Sequence, residues 1–174
     1  FSNVYLAYDK YNIPYAIKEY IPNSLNLRSQ GDRISFSSAN DKKRFMNGLK
    51  EFKYETEIVM NLKHKNIIEI INFFEANGTA YIVMPYETLS RYIYNMETPK
   101  EDEIYSIAEG IFRAVSLFHE NNVVHLDLKP GNIWLRPNKE ALILDFGTAR
   151  DLSDKERSKR PPMYTPGYAA PEQH

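Results

Sequence analysis

The sequence predicts an α+β fold in two parts, a small β-rich first part with one long helix and a mainly helical second part. Three observations carry this. Residues 4–7 and 15–20 are rich in β-branched and aromatic side chains, and the Asp9-Lys10-Tyr11-Asn12 turn between them marks a hairpin. Residues 40–63 place Phe45, Leu49, Phe52, Val59 and Leu62 at spacings of three, four and seven, the period of an amphipathic helix. Residues 104–118 repeat that pattern through Ile104, Ile107, Ala108, Ile111, Val115 and Phe118.

The remaining elements follow in order. Residues 22–40 are polar and serine-rich around Gly31, so they read as an insertion contributing little apolar surface to a core. Gly48, inside the first helix, costs about 1 kcal/mol relative to alanine. Two strands, 67–74 and 80–85, flank Asn77-Gly78, a strong tight-turn pair. Thr98 and Pro99 suit the cap and first turn of the second helix. A small hairpin, 133–135 with 141–144, turns at Pro137-Asn138, and residues 153–166 read as a polar loop. The boundary between the parts falls near 85–90, giving residues 1–86 and 87–174.

Bulk properties narrow the function. The 174 residues are 43% hydrophobic and 26% charged, ordinary for a globular domain. A formal net charge of −1 argues against a nucleic-acid partner. The absence of cysteine removes disulfides, thiolate zinc sites and thiol nucleophiles, and fits a cytoplasmic location. No apolar run reaches the roughly 18 residues of a membrane span, and residues 1–4 do not resemble a signal peptide. The chain starts without Met in what reads as a strand, so it is expected to be cut from a longer protein.

The chemistry concentrates in His125-Leu126-Asp127-Leu128-Lys129-Pro130-Gly131-Asn132, with Asp145-Phe146-Gly147 beginning 13 residues after Asn132. Such a set suits phosphoryl transfer, which needs charge neutralisation more than covalent chemistry. A carboxylate and an amide can hold magnesium against phosphates. A second carboxylate can orient and deprotonate an accepting hydroxyl. Lys129 can place positive charge on the group in transit. Each residue alone has a plainer reading: Lys18 as a solvated strand lysine, Glu55 as a helix-surface acid, His125 as a structural side chain, Lys155 to Arg160 as a solvated loop or a basic recognition element.

Together, these motifs make the chain resemble the eukaryotic-type Ser/Thr protein kinase family, over essentially its whole length. Tyr15-Ala16-Ile17-Lys18 resembles the family's V-A-I-K strand. Glu55, nine residues before His64, occupies the place of the paired helix glutamate. Ala170-Pro171-Glu172 resembles the A-P-E motif, preceded by Thr165-Pro166-Gly167-Tyr168. Within the family the chain looks most like bacterial members. The resemblance implies a protein-kinase-like two-lobed fold, here with a partial C-lobe ending at A-P-E. It implies ATP and Mg2+ as cofactors and a protein substrate phosphorylated on Ser or Thr.

By the same resemblance, Asp127 is the catalytic base and Lys129 assists it. Lys18 contacts the α- and β-phosphates and pairs with Glu55, while Asn132 and Asp145 bind magnesium. Val4, Ala16 and Trp134 enclose the adenine, with Met84 behind it and Tyr86 and Glu87 in the hinge. Val59, Ile70, His125 and Phe146 form the regulatory stack, and Thr165 positions substrate. Four departures stand out. The glycine-rich loop is missing, with Phe1 at its tip and Ser2 where its last glycine belongs. Leu126 replaces the catalytic-loop arginine. The segment from Glu87 is shortened, and the helices beyond His174 are absent, so the piece alone is expected to be inactive. Two other classes stay open: a pseudokinase acting as a binding module, and a small-molecule phosphotransferase, against which Lys129-Pro130 and A-P-E argue.

Overall fold

The structure, a computed structural model, describes residues 2–22, 25, 34–86, 100–155 and 164–173. By its packing the chain forms two compact units, Phe1–Met60 with Ile70–Tyr86, and Asn61–Glu69 with Glu87–His174.

The first unit is a four-stranded antiparallel sheet with one helix. Strands β1 (Ser2–Tyr8), β2 (Pro14–Tyr20), β3 (Asn72–Ala76) and β4 (Thr79–Pro85) lie in the order β1-β2-β4-β3. Asp9 builds the first turn, its Oδ1 accepting the N–H groups of Tyr11 and Ile13 at 2.8 and 2.9 Å. The second turn needs left-handed backbone at two successive residues, which Asn77 (φ 54°) and Gly78 (φ 80°) supply. Helix α1 (Ala39–Met60) starts on a cap at Ser38, whose Oγ accepts the Asp41 N–H at 3.1 Å and donates to its carboxylate at 2.7 Å. Its buried stripe of Phe45, Leu49, Phe52, Thr56 and Val59 is the expected amphipathic face.

Two expectations for this unit are corrected. The stretch 22–40 does contribute to the core: Leu25 is buried with Phe45, Leu49, Phe52, Ala80 and Ile82, and Ile34 and Phe36 pack against them. Isolated apolar residues in a polar loop have no period to betray them. A backbone hydrogen bond from Ile34 N–H to the Asn77 carbonyl, 3.2 Å, pins this loop to the β3–β4 turn. Gly48 is also more than a tolerated defect. A Cβ there would stand 2.0 Å from the Tyr20 hydroxyl, whose ring packs between Phe45 (5.2 Å) and Phe52 (5.4 Å).

The second unit is built on helix α2 (Glu101–Glu120) and two small ladders. Strands β5 (Val123–Val124) and β8 (Arg150–Asp151) pair, as do β6 (Ile133–Leu135) and β7 (Ala141–Ile143). Phe118, Leu135, Leu142 and Ile143 are the largest fully buried apolar side chains among its described residues. The predicted strand 67–74 is corrected here. Only its end is strand β3, while residues 66–68 run beside β7, with Ile68 N–H to the Ile143 carbonyl at 3.0 Å and Ile143 N–H to the Asn66 carbonyl at 2.9 Å. The Ile67-Ile68-Glu69-Ile70-Ile71 run looks continuous in sequence but feeds two different cores. The fully buried line of α2 runs through Gly110, Ala114 and Phe118, while on the apolar face read from sequence Ile107, Ala108, Ile111 and Val115 are half-buried and Ile104 is exposed. Gly110 lets the helix approach Asn66, whose Nδ2 would lie 2.8 Å from an added Cβ and which donates to the Ala141 carbonyl at 2.6 Å. The predicted cap at Thr98 and Pro99 falls outside the described residues.

Candidate active site

The backbone of the catalytic loop sets the site. After β5 the chain turns through Leu126, which adopts left-handed backbone at φ 67°, a region non-glycine residues occupy at a cost. A 3-10 turn, Pro130–Asn132, then leads into β6. The Ile133–Ile143 pairing, continued by the Leu144 N–H to Asn132 carbonyl bond at 3.2 Å, puts Asn132 and Asp145 at the same end of the β6–β7 ladder.

Around Asp127 three other predicted residues come together. Its Oδ1 accepts the Thr165 hydroxyl at 2.6 Å, and its Oδ2 accepts Lys129 Nζ at 2.6 Å and Asn132 Nδ2 at 3.1 Å. Lys129 Nζ also donates to Thr165 Oγ1 at 2.6 Å, and Asn132 Nδ2 to the Asp127 carbonyl at 2.8 Å. Burial works against the charge on Asp127, but the bonds from Lys129 and Thr165, the Lys129 charge and Asn132 outweigh it, holding the carboxyl below its ordinary range. A carboxylate offers about four lone-pair positions. Three are taken, so one on Oδ1 is left for an incoming hydroxyl.

Asp145 is exposed at the head of its turn, its Oδ1 accepting the Gly147 N–H at 3.1 Å. Phe146 is buried and rings with Phe118 (5.6 Å) and His125 (5.3 Å). Burial is the main influence on His125 and pushes its pKa down, against the opposing pull of the Asp145 and Asp127 charges, so the imidazole is held neutral. Its Nδ1 accepts the Asp127 N–H at 3.3 Å. Asn132 Nδ2 is committed to Asp127, which leaves its amide oxygen, with the Asp145 carboxylate, as a hard oxygen pair of the kind magnesium takes alongside phosphate oxygens and water. Trp134 is half-buried on β6, opposite Leu142.

The other predicted residues lie in the first unit. Val4 pairs with Lys18 across β1 and β2, and Ala16 with Met84 across β2 and β4, so these four share one face of the sheet. Glu55 flanks the buried stripe of α1 and is half-buried, whereas Glu57 is exposed. After desolvation, the Glu55 charge is the second influence raising the pKa of Tyr20, two residues along the strand from Lys18. Tyr86 is exposed just beyond β4, and Val59 and Ile70 also belong to this unit. Glu87 lies outside the described residues.

One participant carried no sequence signal. Gln173, in the 3-10 turn Pro171–Gln173, donates its Nε2 to the Leu126 carbonyl at 2.8 Å. Its partner is a backbone atom 47 residues away, so no residue pattern announces it.

Comparison with known proteins agrees with this geometry. Serine/threonine-protein kinase Nek1 of Mus musculus is 32% identical over 144 residues, 80% of this chain and 12% of that protein. The liver/testis phosphorylase b kinase gamma catalytic chain of Bos taurus is 37% identical over 122 residues, 68% of this chain and 30% of that protein. The chain thus spans well under half the length of these curated relatives. A solved structure, PpkA-294 in its apo form, matches with a TM-score of 0.75 at 29% identity, covering 84% of this chain and 54% of that one. A family model described as the protein kinase domain matches residues 1–173, and the chain belongs to that family.

Proposed function

We propose that the protein transfers the γ-phosphoryl group of ATP to a Ser or Thr hydroxyl of a protein substrate, with Asp127 as the catalytic base. The observation that carries this is the convergence of Lys129, Thr165 and Asn132 on the Asp127 carboxylate with one acceptor position to spare. A carboxyl held below its usual range is a carboxylate at neutral pH, the form that accepts a proton. It is a weak base, which suits a loose phosphoryl-transfer transition state asking mainly for orientation and charge compensation. Lys129 carries that charge, and Thr165 fixes the carboxylate and the ammonium relative to each other.

Asn132 and Asp145 would hold Mg2+, which when bound neutralises phosphate charge and orients it for in-line transfer. In the first unit, Lys18 would contact phosphate and be steadied by Glu55. Val4, Ala16, Met84, Tyr86, Glu87 and Trp134 would enclose the adenine. Ser/Thr specificity is supported by the Lys129-Pro130 pair, by the Thr165 bridge and by the names of the relatives. We place the activity in the intact parent, in the cytoplasm.

In the full-length protein, Asp127→Ala is expected to lower kcat by about 10²- to 10⁴-fold with the KM for ATP little changed. Wild-type turnover by that variant would remove Asp127 from the base role.

A further inference from the structure

We propose that Gln173 is a positioning residue for the catalytic loop, acting through the peptide group that joins Leu126 to Asp127. This rests on the reading of Asp127 as the base. That peptide is gripped at both ends. Its carbonyl, on Leu126, accepts Gln173 Nε2 at 2.8 Å, and its N–H, on Asp127, reaches His125 Nδ1 at 3.3 Å. The second bond is long, so the first does more to fix the peptide plane. The plane needs fixing, because Leu126 sits at φ 67°. Relaxing that backbone would rotate the peptide and swing the bond from which the Asp127 carboxylate projects.

Gln173 is itself held in register. Its Oε1 accepts the Ala170 N–H at 3.1 Å, and its own N–H donates to the Ala170 carbonyl at 3.0 Å. With the amide oxygen committed, the NH₂ group is the one turned to Leu126, which is the polarity a carbonyl partner requires. Position 126 offers only a backbone carbonyl and an apolar side chain, so the link between the 170–173 turn and the catalytic loop is a neutral hydrogen bond. It needs neither a loop phosphate nor a titrating group.

Substitutions at one position in the full-length protein test this. Gln173→Met keeps the length and loses both amide bonds. It should lower kcat about tenfold with the KM for ATP within about twofold of wild type, since the bond orients the base. Gln173→Glu is the sharper probe. As a carboxylate it still accepts from Ala170 but turns lone pairs to the Leu126 carbonyl. Protonated, it regains an O–H to donate. Its kcat relative to wild type should therefore climb as pH is lowered toward the carboxyl range, which a merely structural role would not produce. A flat ratio across pH, or Gln173→Met at the wild-type rate, overturns the proposal. If Gln173→Met does not fold, the Gln173→Glu ratio decides alone. Asp127→Asn separates the two readings. If it turns over normally, the base assignment fails; if it is dead while both Gln173 variants behave as wild type, only the role of Gln173 fails.

Discussion

Three donors meet on one carboxylate, and the threonine among them is the one whose loss can be read cleanly. Thr165 donates to Asp127 Oδ1 and accepts from Lys129 Nζ, both at 2.6 Å, so Thr165→Ala leaves two charged groups each short of a partner. A hydrogen bond to a charged group is worth about 1.5–3 kcal/mol, and kcat/KM for a peptide substrate should fall by about tenfold or more. Thr165→Ser should recover most of it, because the hydroxyl is the working part. Thr165→Glu sets a second carboxylate against Asp127 and should be worse than alanine. Ser153 differs: its hydroxyl and N–H serve only the neighbouring Asp151, at 2.6 and 2.8 Å, and Leu126 offers a phosphate no charge. Ser153→Ala combined with Ser158→Ala should leave activity within about threefold by the same arithmetic, under 1 kcal/mol; the opposite ranking in a peptide assay would show control by a loop phosphate. The residues that meet at Asp127 could be picked out in sequence because they stand at fixed spacing in one short motif, with Thr165 named by the resemblance. Gln173 could not, since its bond is to a backbone atom.

At the scale of elements, sequence reading succeeded where periodicity spoke and failed where contact decided. The α1 stripe and the Asn77-Gly78 turn follow from pattern alone. The 67–71 run, the core role of Leu25, Ile34 and Phe36, and the need for Gly48 do not, because each depends on what the neighbouring element presents. Gly48 gives the clearest test. Glycine to alanine in a helix interior ordinarily stabilises by about 1 kcal/mol. Here the new methyl meets the Tyr20 hydroxyl at 2.0 Å, and the ring is wedged between Phe45 and Phe52. Gly48→Ala should therefore destabilise by about 1–3 kcal/mol, the usual cost of overpacking. Tyr20→Phe deletes the clashing oxygen and leaves Cζ at 3.0 Å, so the double variant should recover most of the loss. The full mutant cycle can be measured on the thermal unfolding of the full-length protein. A higher midpoint for Gly48→Ala alone would show that the Tyr20 contact does not constrain the helix.

Across the whole molecule, the described groups whose shifted pKa values bear on acid, His64, His125, Asp127 and Glu140, all belong to the second unit. His125 is 4% exposed among Phe118 and Phe146, and burial lowers its pKa from 6.5 despite the nearby Asp145 and Asp127 charges. Above pH 6.5 it is neutral folded or unfolded and contributes no pH dependence. Below that, the unfolded chain takes up a proton that the folded form resists, so stability falls as pH drops toward the folded value. The slope is at most about 1.4 kcal/mol per pH unit for one proton. His64 acts in the same direction, depressed by partial burial and then by Lys65 and Arg113. Asp127 acts later. Its pKa is lowered from 3.8, so its contribution is intact above that value and is lost only as pH falls through the folded one. The two effects therefore set in at different pH, the first near 6.5 and the second near 3.8. His125→Gln should flatten the limb that begins at 6.5, even if the variant is less stable throughout, and should leave the limb below 3.8 in place. His64→Gln, at a half-buried position, should remove a smaller share. Calorimetry of the full-length protein between pH 7 and the acid limit checks both. A His125→Gln slope equal to that of wild type would mean that the imidazole takes up its proton in the folded state, and that its place against Phe146 does not require the neutral form.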